Sequence, residues 1–169
     1  MASGDTLIVF TPLHNEPPAT AFATLDTRNG YVVLDFSDTT DEEAIFRGVM
    51  PRHYGGGGVT VTIGWSATDV TVTPHNVVWQ AAFMSVSDDA DDLDTKAFAA
   101  FNTSGAVAEP SASGEVGYDP ITFTDGADMD SVAVGEMFLL KIRRDADDTS
   151  GTDSLTDDAE LWFVEIRET

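Results

Sequence analysis

The chain contains no cysteine. That absence removes disulfides, thiolate metal sites and thiol nucleophiles together. The fold is held by packing alone, or by packing combined with self-association. No apolar run approaches the ~20 residues that a membrane-spanning helix needs, so no membrane partner is expected. No basic segment precedes an apolar stretch near the start, and Thr6–Phe10 is too short for a signal core. The chain is read as beginning near Met1. Bases are scarce: 8 against 30 acids, for a net charge of -22, with Lys96 and Lys141 the only lysines. Such a field repels phosphates and argues against a nucleic-acid partner. A lysine-poor acidic surface suits a salty medium, where screening weakens self-repulsion. Calcium binding or plain solubility accounts for the charge equally well.

Catalytic signatures are missing as well. His14, His53 and His75 fall in separate segments, with no HExxH or HxH spacing, so zinc is not expected. There is no GxSxG elbow, and the glycine run Gly55–Gly58 lacks the Lys-Ser/Thr of a phosphate loop. That run reads as a hairpin or a close approach of backbones. Carboxylate pairs carry no information in a chain with 30 acids. The expectation is a protein that binds or builds and is not an enzyme.

What is present points to strands. A chain of 169 residues with 42% hydrophobic content makes one domain with a sizeable core. Residues 1–28 read as an extended N-terminal arm: a short apolar strand at Thr6–Phe10, then three prolines between Pro12 and Pro18 that no sheet interior accepts. The arm lies on its own domain or reaches a neighbouring subunit. Residues 29–169 read as the main domain. Tyr31–Phe36, Val59–Trp65, Asn76–Val86, Glu136–Arg143 and Glu160–Glu168 carry strand patterning. Glu42–Met50 reads as a strand or a helical turn, and Glu115–Thr124 as a strand broken at Pro120. Asp91–Phe101 has helical spacing, and 102–114 reads as a loop. The sum is an all-β, antiparallel β-sandwich: a jelly roll of about eight strands with an extended N-terminal arm. An immunoglobulin-like sandwich is the second architecture.

Several strands are apolar on both faces. In Asn76–Val86, Trp79, Ala81 and Phe83 oppose Val78, Ala82 and Met84; in the last strand, Leu161 and Phe163 oppose Trp162, Val164 and Ile166. Two wet faces are not an option for such strands. Either the arm or a long loop covers them, or a second subunit does. The candidate partner contacts are Leu7, Ile8, Val9, Phe10, Leu13, Trp79, Leu161 and Phe163, and a homo-oligomer is expected. Acidic loops offer the one cofactor reading. Asp145, Asp147 and Asp148 crowd the loop before the last strand, and Asp88–Asp94 holds five more aspartates. Each is a solvated loop or a calcium site, and neither matches an EF-hand. Trp65, Trp79 and Trp162 invite a sugar-binding platform; strand register puts Trp65 and Trp162 with core residues and leaves Trp79 open, and core packing is the expected role of all three. Arg47 and Arg52 are expected to pair with local carboxylates or to meet an acidic partner.

Six segments together carry a resemblance. They are Phe10-Thr-Pro-Leu-His-Asn-Glu-Pro-Pro18, Ala23-Thr-Leu-Asp-Thr-Arg-Asn29, Val33-Leu-Asp-Phe36, Phe46-Arg-Gly-Val-Met-Pro-Arg-His-Tyr54, Arg143-Arg-Asp-Ala-Asp147 and Val164-Glu-Ile-Arg-Glu-Thr169. Their combination resembles small jelly-roll proteins encoded by tailed phages of aquatic bacteria. The resemblance implies a virion structural role: a capsid cement or decoration subunit, homotrimeric, bound to the major capsid protein on the outer surface of the head. It carries over no functional residues. The same fold serves in phage tail and fibre proteins. The alternative reading is a carbohydrate-binding β-sandwich module of a phage tail or a secreted enzyme, which an exposed aromatic platform would favour.

Overall fold

The protein is described here by a computed structural model, which covers residues 4–70 and 74–169. The first three residues of the expected arm lie outside the described residues. Among the described residues ten strands follow in order: β1 (Thr6–Phe10), β2 (Thr24–Arg28), β3 (Tyr31–Phe36), β4 (Glu43–Val49), β5 (Val59–Ala67), β6 (Asn76–Val86), β7 (Asn102–Ala108), β8 (Gly117–Phe123), β9 (Met137–Arg144) and β10 (Ala159–Glu168). β3 pairs with β10, β4 with β9, β5 with β8 and β6 with β7, all antiparallel. The last eight strands therefore form one long hairpin of four strand pairs. Rolled up, it gives two sheets with central orders β3-β10-β5-β8 and β4-β9-β6-β7. That is a jelly-roll sandwich.

Between the sheets lies a single core. β5 turns Val59, Val61, Ile63 and Trp65 inward, as its alternation foretells, and β9 turns in Phe138, Leu140 and Ile142. Aromatic edges meet across the middle: Phe36 on Trp79 at 5.1 Å, Trp65 on Trp79 at 6.0 Å, Phe83 on Phe123 at 5.0 Å between ring centres. Arg144 ends β9 inside this core, fully buried. Its guanidinium grips Asp153 through Nε (2.9 Å) and Nη2 (2.8 Å), and donates to the carbonyls of Phe36, Leu155 and Asp157. One charge pair thus pins the 145–158 loop against β3.

The N-terminal stretch lies on its own domain. β1 pairs with the far half of β10, and β2 forms a hairpin with β3 through Asn29-Gly30. Both turn residues have positive φ, 49° and 82°, the conformation that a two-residue I′ turn demands. Between these strands the proline-rich segment is bridged to β4 at Asn15–Phe46 and Phe22–Glu43.

Three local expectations are corrected. Residues 91–101 form no helix: after one turn closed by Lys96 N–H donating to the Asp92 carbonyl (2.8 Å), the segment runs over the outside of the β4-β9-β6-β7 sheet. Aspartates favour turns over helix interiors, and Phe98 and Phe101 seat under Lys141 and Arg143 at 4.5 and 4.2 Å. Asn102–Ala108 is an edge strand rather than a loop. Pro120 does not break β8, because β8 is the edge of its sheet and a missing N–H on the open side costs nothing.

Candidate functional site

The outward face of the β3-β10-β5-β8 sheet is the most chemically distinctive surface. Its character comes from a β-bulge. Strict alternation puts Trp162 in line with Val164 and Ile166, but the β10–β5 register slips between Leu161 and Phe163. The extra residue leaves Leu161, Val164 and Ile166 inside and turns both Trp162 and Phe163 outward, half-buried. Trp65 and Trp79 are core, but Trp162, which alternation places with the core residues, lies at the surface. Gly64 on β5 makes room for this, since a β-carbon there would overlap the Phe163 ring. Phe163 can then reach Tyr118 on β8, edge to face at 5.1 Å. On the other side, Trp162 meets Tyr31 of β3 at 6.3 Å. Tyr31 and Tyr118 are 64% and 67% exposed, so the row Tyr31–Trp162–Phe163–Tyr118 opens to solvent at both ends.

Polar groups flank the Tyr31 end. Trp162 Nε1 donates to Ser66 Oγ at 2.8 Å, Ser66 Oγ donates to Glu160 Oε2 at 2.7 Å, and Arg28 Nη1 donates to the same oxygen at 2.5 Å. Arg28 also holds Ser113 Oγ and the Ala67 carbonyl. Asp35 lies beside this chain with its Oδ1 buried and without a hydrogen-bonding partner. Burial first, then the charges of Glu160, Asp26 and Asp158, push its carboxyl up to about 7. On the opposite, inward-facing side of β8, Asp119 accepts from Trp65 Nε1 at 2.5 Å; burial raises it and that hydrogen bond opposes the rise.

A second surface lies where the N-terminal segment crosses the sandwich edge. Pro12, Leu13, Pro17, Phe22, Ala23 and Leu25 line a groove of about 310 Å³. Leu13 is 70% exposed and Leu25 55%. A larger, more open depression of about 710 Å³ between residues 86–91 and 133–137 has no aromatic side chain in its wall.

The expected partner contacts separate into two groups. Trp79, Leu161 and Phe10 are buried in this chain's own core, which removes them from a partner surface; Phe10 stacks on Phe46 at 5.4 Å. Leu7 and Ile8 are half-buried against that core. Val9 and Leu13 are exposed, and Phe163 sits in the aromatic row. The outer face of β6 is covered from within the chain: Gly151 lies against Val78, and Ser150 Oγ accepts from Gln80 Nε2 at 2.6 Å.

The acidic loops are largely occupied with their own backbone. Asp41, Asp145 and Asp147 bring one carboxylate oxygen each within 4.8 Å of one another. Asp148 is not among them; it accepts from the Asp153 N–H at 2.6 Å. Asp145 takes donors on both oxygens, from Thr149 Oγ1 at 2.5 Å and from Ser150 N–H and Oγ at 2.6 Å each. Its burial pushes the carboxyl up, but the Ser150 and Thr149 donors outweigh this and hold it below the usual range. Asp41 is raised by burial, offset in part by Arg143. A hard cation wants six to eight free oxygens, and both oxygens of Asp145 and Oδ1 of Asp41 already accept hydrogen bonds. Asp91 and Asp130 likewise clasp Lys96 at 2.9 and 3.2 Å. Arg47 pairs with Glu16 at 2.7 Å. At the glycine run, the Gly55 N–H donates to Glu168 Oε1 and the Gly58 N–H to Tyr54 Oη, and a β-carbon on Gly58 would overlap the Phe123 carbonyl oxygen, the close backbone approach that sequence suggests.

No family model matches the chain, and no curated protein matches it. Among solved structures, the chain is similar to the N-terminal CBM22-1–GH10 modules of endo-1,4-beta-D-xylanase 10B from Clostridium thermocellum, solved with xylohexaose. The TM-score is 0.51 at 13% identity, over 100% of this chain and 29% of the xylanase chain. The likeness is one of fold. The chain spans under a third of that protein's length.

Proposed function

We propose that this chain is a structural subunit of a virion surface, a cement that binds a phage head and stabilises it, and that it works as a homo-oligomer. The observation that carries the proposal is the apolar groove of the N-terminal segment. Leu13, Phe22 and Leu25 stay open to water although the chain has a complete core elsewhere. Exposed apolar residues gathered in one place mark contacts. Leu13 and Leu25 also fall inside two of the segments that carry the phage resemblance. The expected occupants are a second copy and the major capsid protein. Binding to the assembled lattice alone stabilises it by mass action. The proposed role is not catalytic; Glu160, the most buried acid of the outer face, is held by Arg28 and Ser66. The test is co-sedimentation with heads assembled from the major capsid protein of the same genome. Saturable binding that Leu13→Glu with Leu25→Glu abolishes supports the reading; no binding at micromolar concentration refutes it.

A second reading, a carbohydrate-binding module, is favoured by the aromatic row on the outer face. Glycan affinity in a protein that stays monomeric and ignores heads selects it.

A further inference from the structure

The aromatic row serves neither the core nor the N-terminal groove. It crosses the sheet from Tyr31 on β3 through Trp162 and Phe163 on β10 to Tyr118 on β8. Three strand spacings separate its ends, roughly 14 Å. Its surroundings are wrong for a protein contact. Buried interface centres are depleted of charge, whereas this row is bordered by Arg28, Glu160, Asp35 and Asp26 at one end and by Thr60, Thr62 and Thr122 along β5 and β8. Ring faces edged by hydrogen-bonding groups suit a ligand with apolar C–H faces and a rim of hydroxyls. The sign of the charge narrows the class further. Carboxylates beside the row and a net charge of -22 repel uronates, sulfates and phosphates.

We infer that this face binds a neutral oligosaccharide. Tyr31 and Tyr118 stack on sugar rings at the two ends, Trp162 and Phe163 form the floor between them, and Arg28 meets hydroxyls at the Tyr31 end. The bulge in β10 and the missing β-carbon of Gly64 are what place the floor. The inference gives the second reading its site and ligand class, and it stands independently of the first: a cement subunit can carry it on a face away from the groove.

Affinity electrophoresis in native gels tests it, with soluble β-1,4-glucan, β-1,4-xylan and β-1,4-mannan as neutral probes and alginate as the anionic one. At least one neutral polymer is expected to retard the protein, and alginate is not. Tryptophan fluorescence gives a second readout, because Trp65 and Trp79 are fully buried and a ligand-induced change reports Trp162. Tyr31→Ala with Tyr118→Ala should weaken binding tenfold or more without moving the unfolding midpoint. Tyr31→Phe with Tyr118→Phe should stay within about threefold, since stacking needs the ring and not the hydroxyl. Leu13→Glu with Leu25→Glu should leave saccharide binding intact even if it abolishes assembly, which separates failure of the cement reading from failure of this one. The inference is overturned if no neutral polymer retards the protein, if the alanine pair keeps full affinity, if the phenylalanine pair loses as much as the alanine pair, or if alginate binds best.

Discussion

Asp35→Asn should make the protein more stable at pH 8 and leave it unchanged at pH 4. The side chain keeps its shape and loses its charge. In the folded chain Asp35 holds its proton up to about pH 7, because it is partly buried and faces Glu160, Asp26 and Asp158. The unfolded chain releases that proton near 3.8. Between those values the folded state binds more protons than the unfolded one, so stability falls as pH rises through the window. The full displacement corresponds to at most about 4 kcal/mol. Solvent on the open side of the carboxylate screens part of it, and about 2 kcal/mol is the working figure. Asparagine never ionises and escapes the cost. Urea unfolding of both proteins at pH 4, 5.5, 7 and 8 reads the effect as a difference, which cancels the other carboxylates. The difference should open between pH 4 and 7 and then level off. An equal difference at pH 4 and pH 8, or a variant less stable at pH 8, refutes the reasoning.

Three further perturbations follow from the geometry. Arg144→Met leaves Asp153 as a buried charge without its partner and strips three carbonyls of their donor; a loss of about 3–5 kcal/mol is expected in urea unfolding, and a loss under about 1 kcal/mol contradicts that. Deleting residues 1–20 removes β1 and the Phe10–Phe46 stack; burying Phe10 alone contributes about 1.5–3 kcal/mol, so the truncated domain should melt well below the intact one by circular dichroism. An unchanged melting curve favours a free arm. Millimolar calcium should produce no heat in calorimetry and no rise in unfolding temperature, because the Asp145 oxygens already accept from Thr149 and Ser150; a saturable exotherm restores the calcium site.

Much of the fold is legible in the alternation of the long strands. Val59–Trp65 and Phe138–Ile142 each show one apolar face, and each lies where that face requires. β2 and β7 are harder to read because they are edge strands that bury little: β2 is nearly all exposed, and β7 is built of small residues whose place is set by pairing to β6. The Asn29-Gly30 pair was the one signal for β2, since that dipeptide between two extended runs marks a hairpin. The aromatic row is hidden for a different reason. A bulge shifts the period by one residue, and the period is what assigns faces. Nothing local in Leu161-Trp162-Phe163 announces it; the register is set by β5, and by a glycine there that leaves space for a ring. Arg144 escapes notice likewise, because its partners lie on a loop and a strand remote in sequence.

The most direct test of the central claim, a self-associating surface subunit, is the solution mass by multi-angle light scattering in seawater-like salt. A stable trimer that Leu13→Glu with Leu25→Glu reduces to a folded monomer is the expected result. A monomeric wild-type protein at micromolar concentration contradicts it.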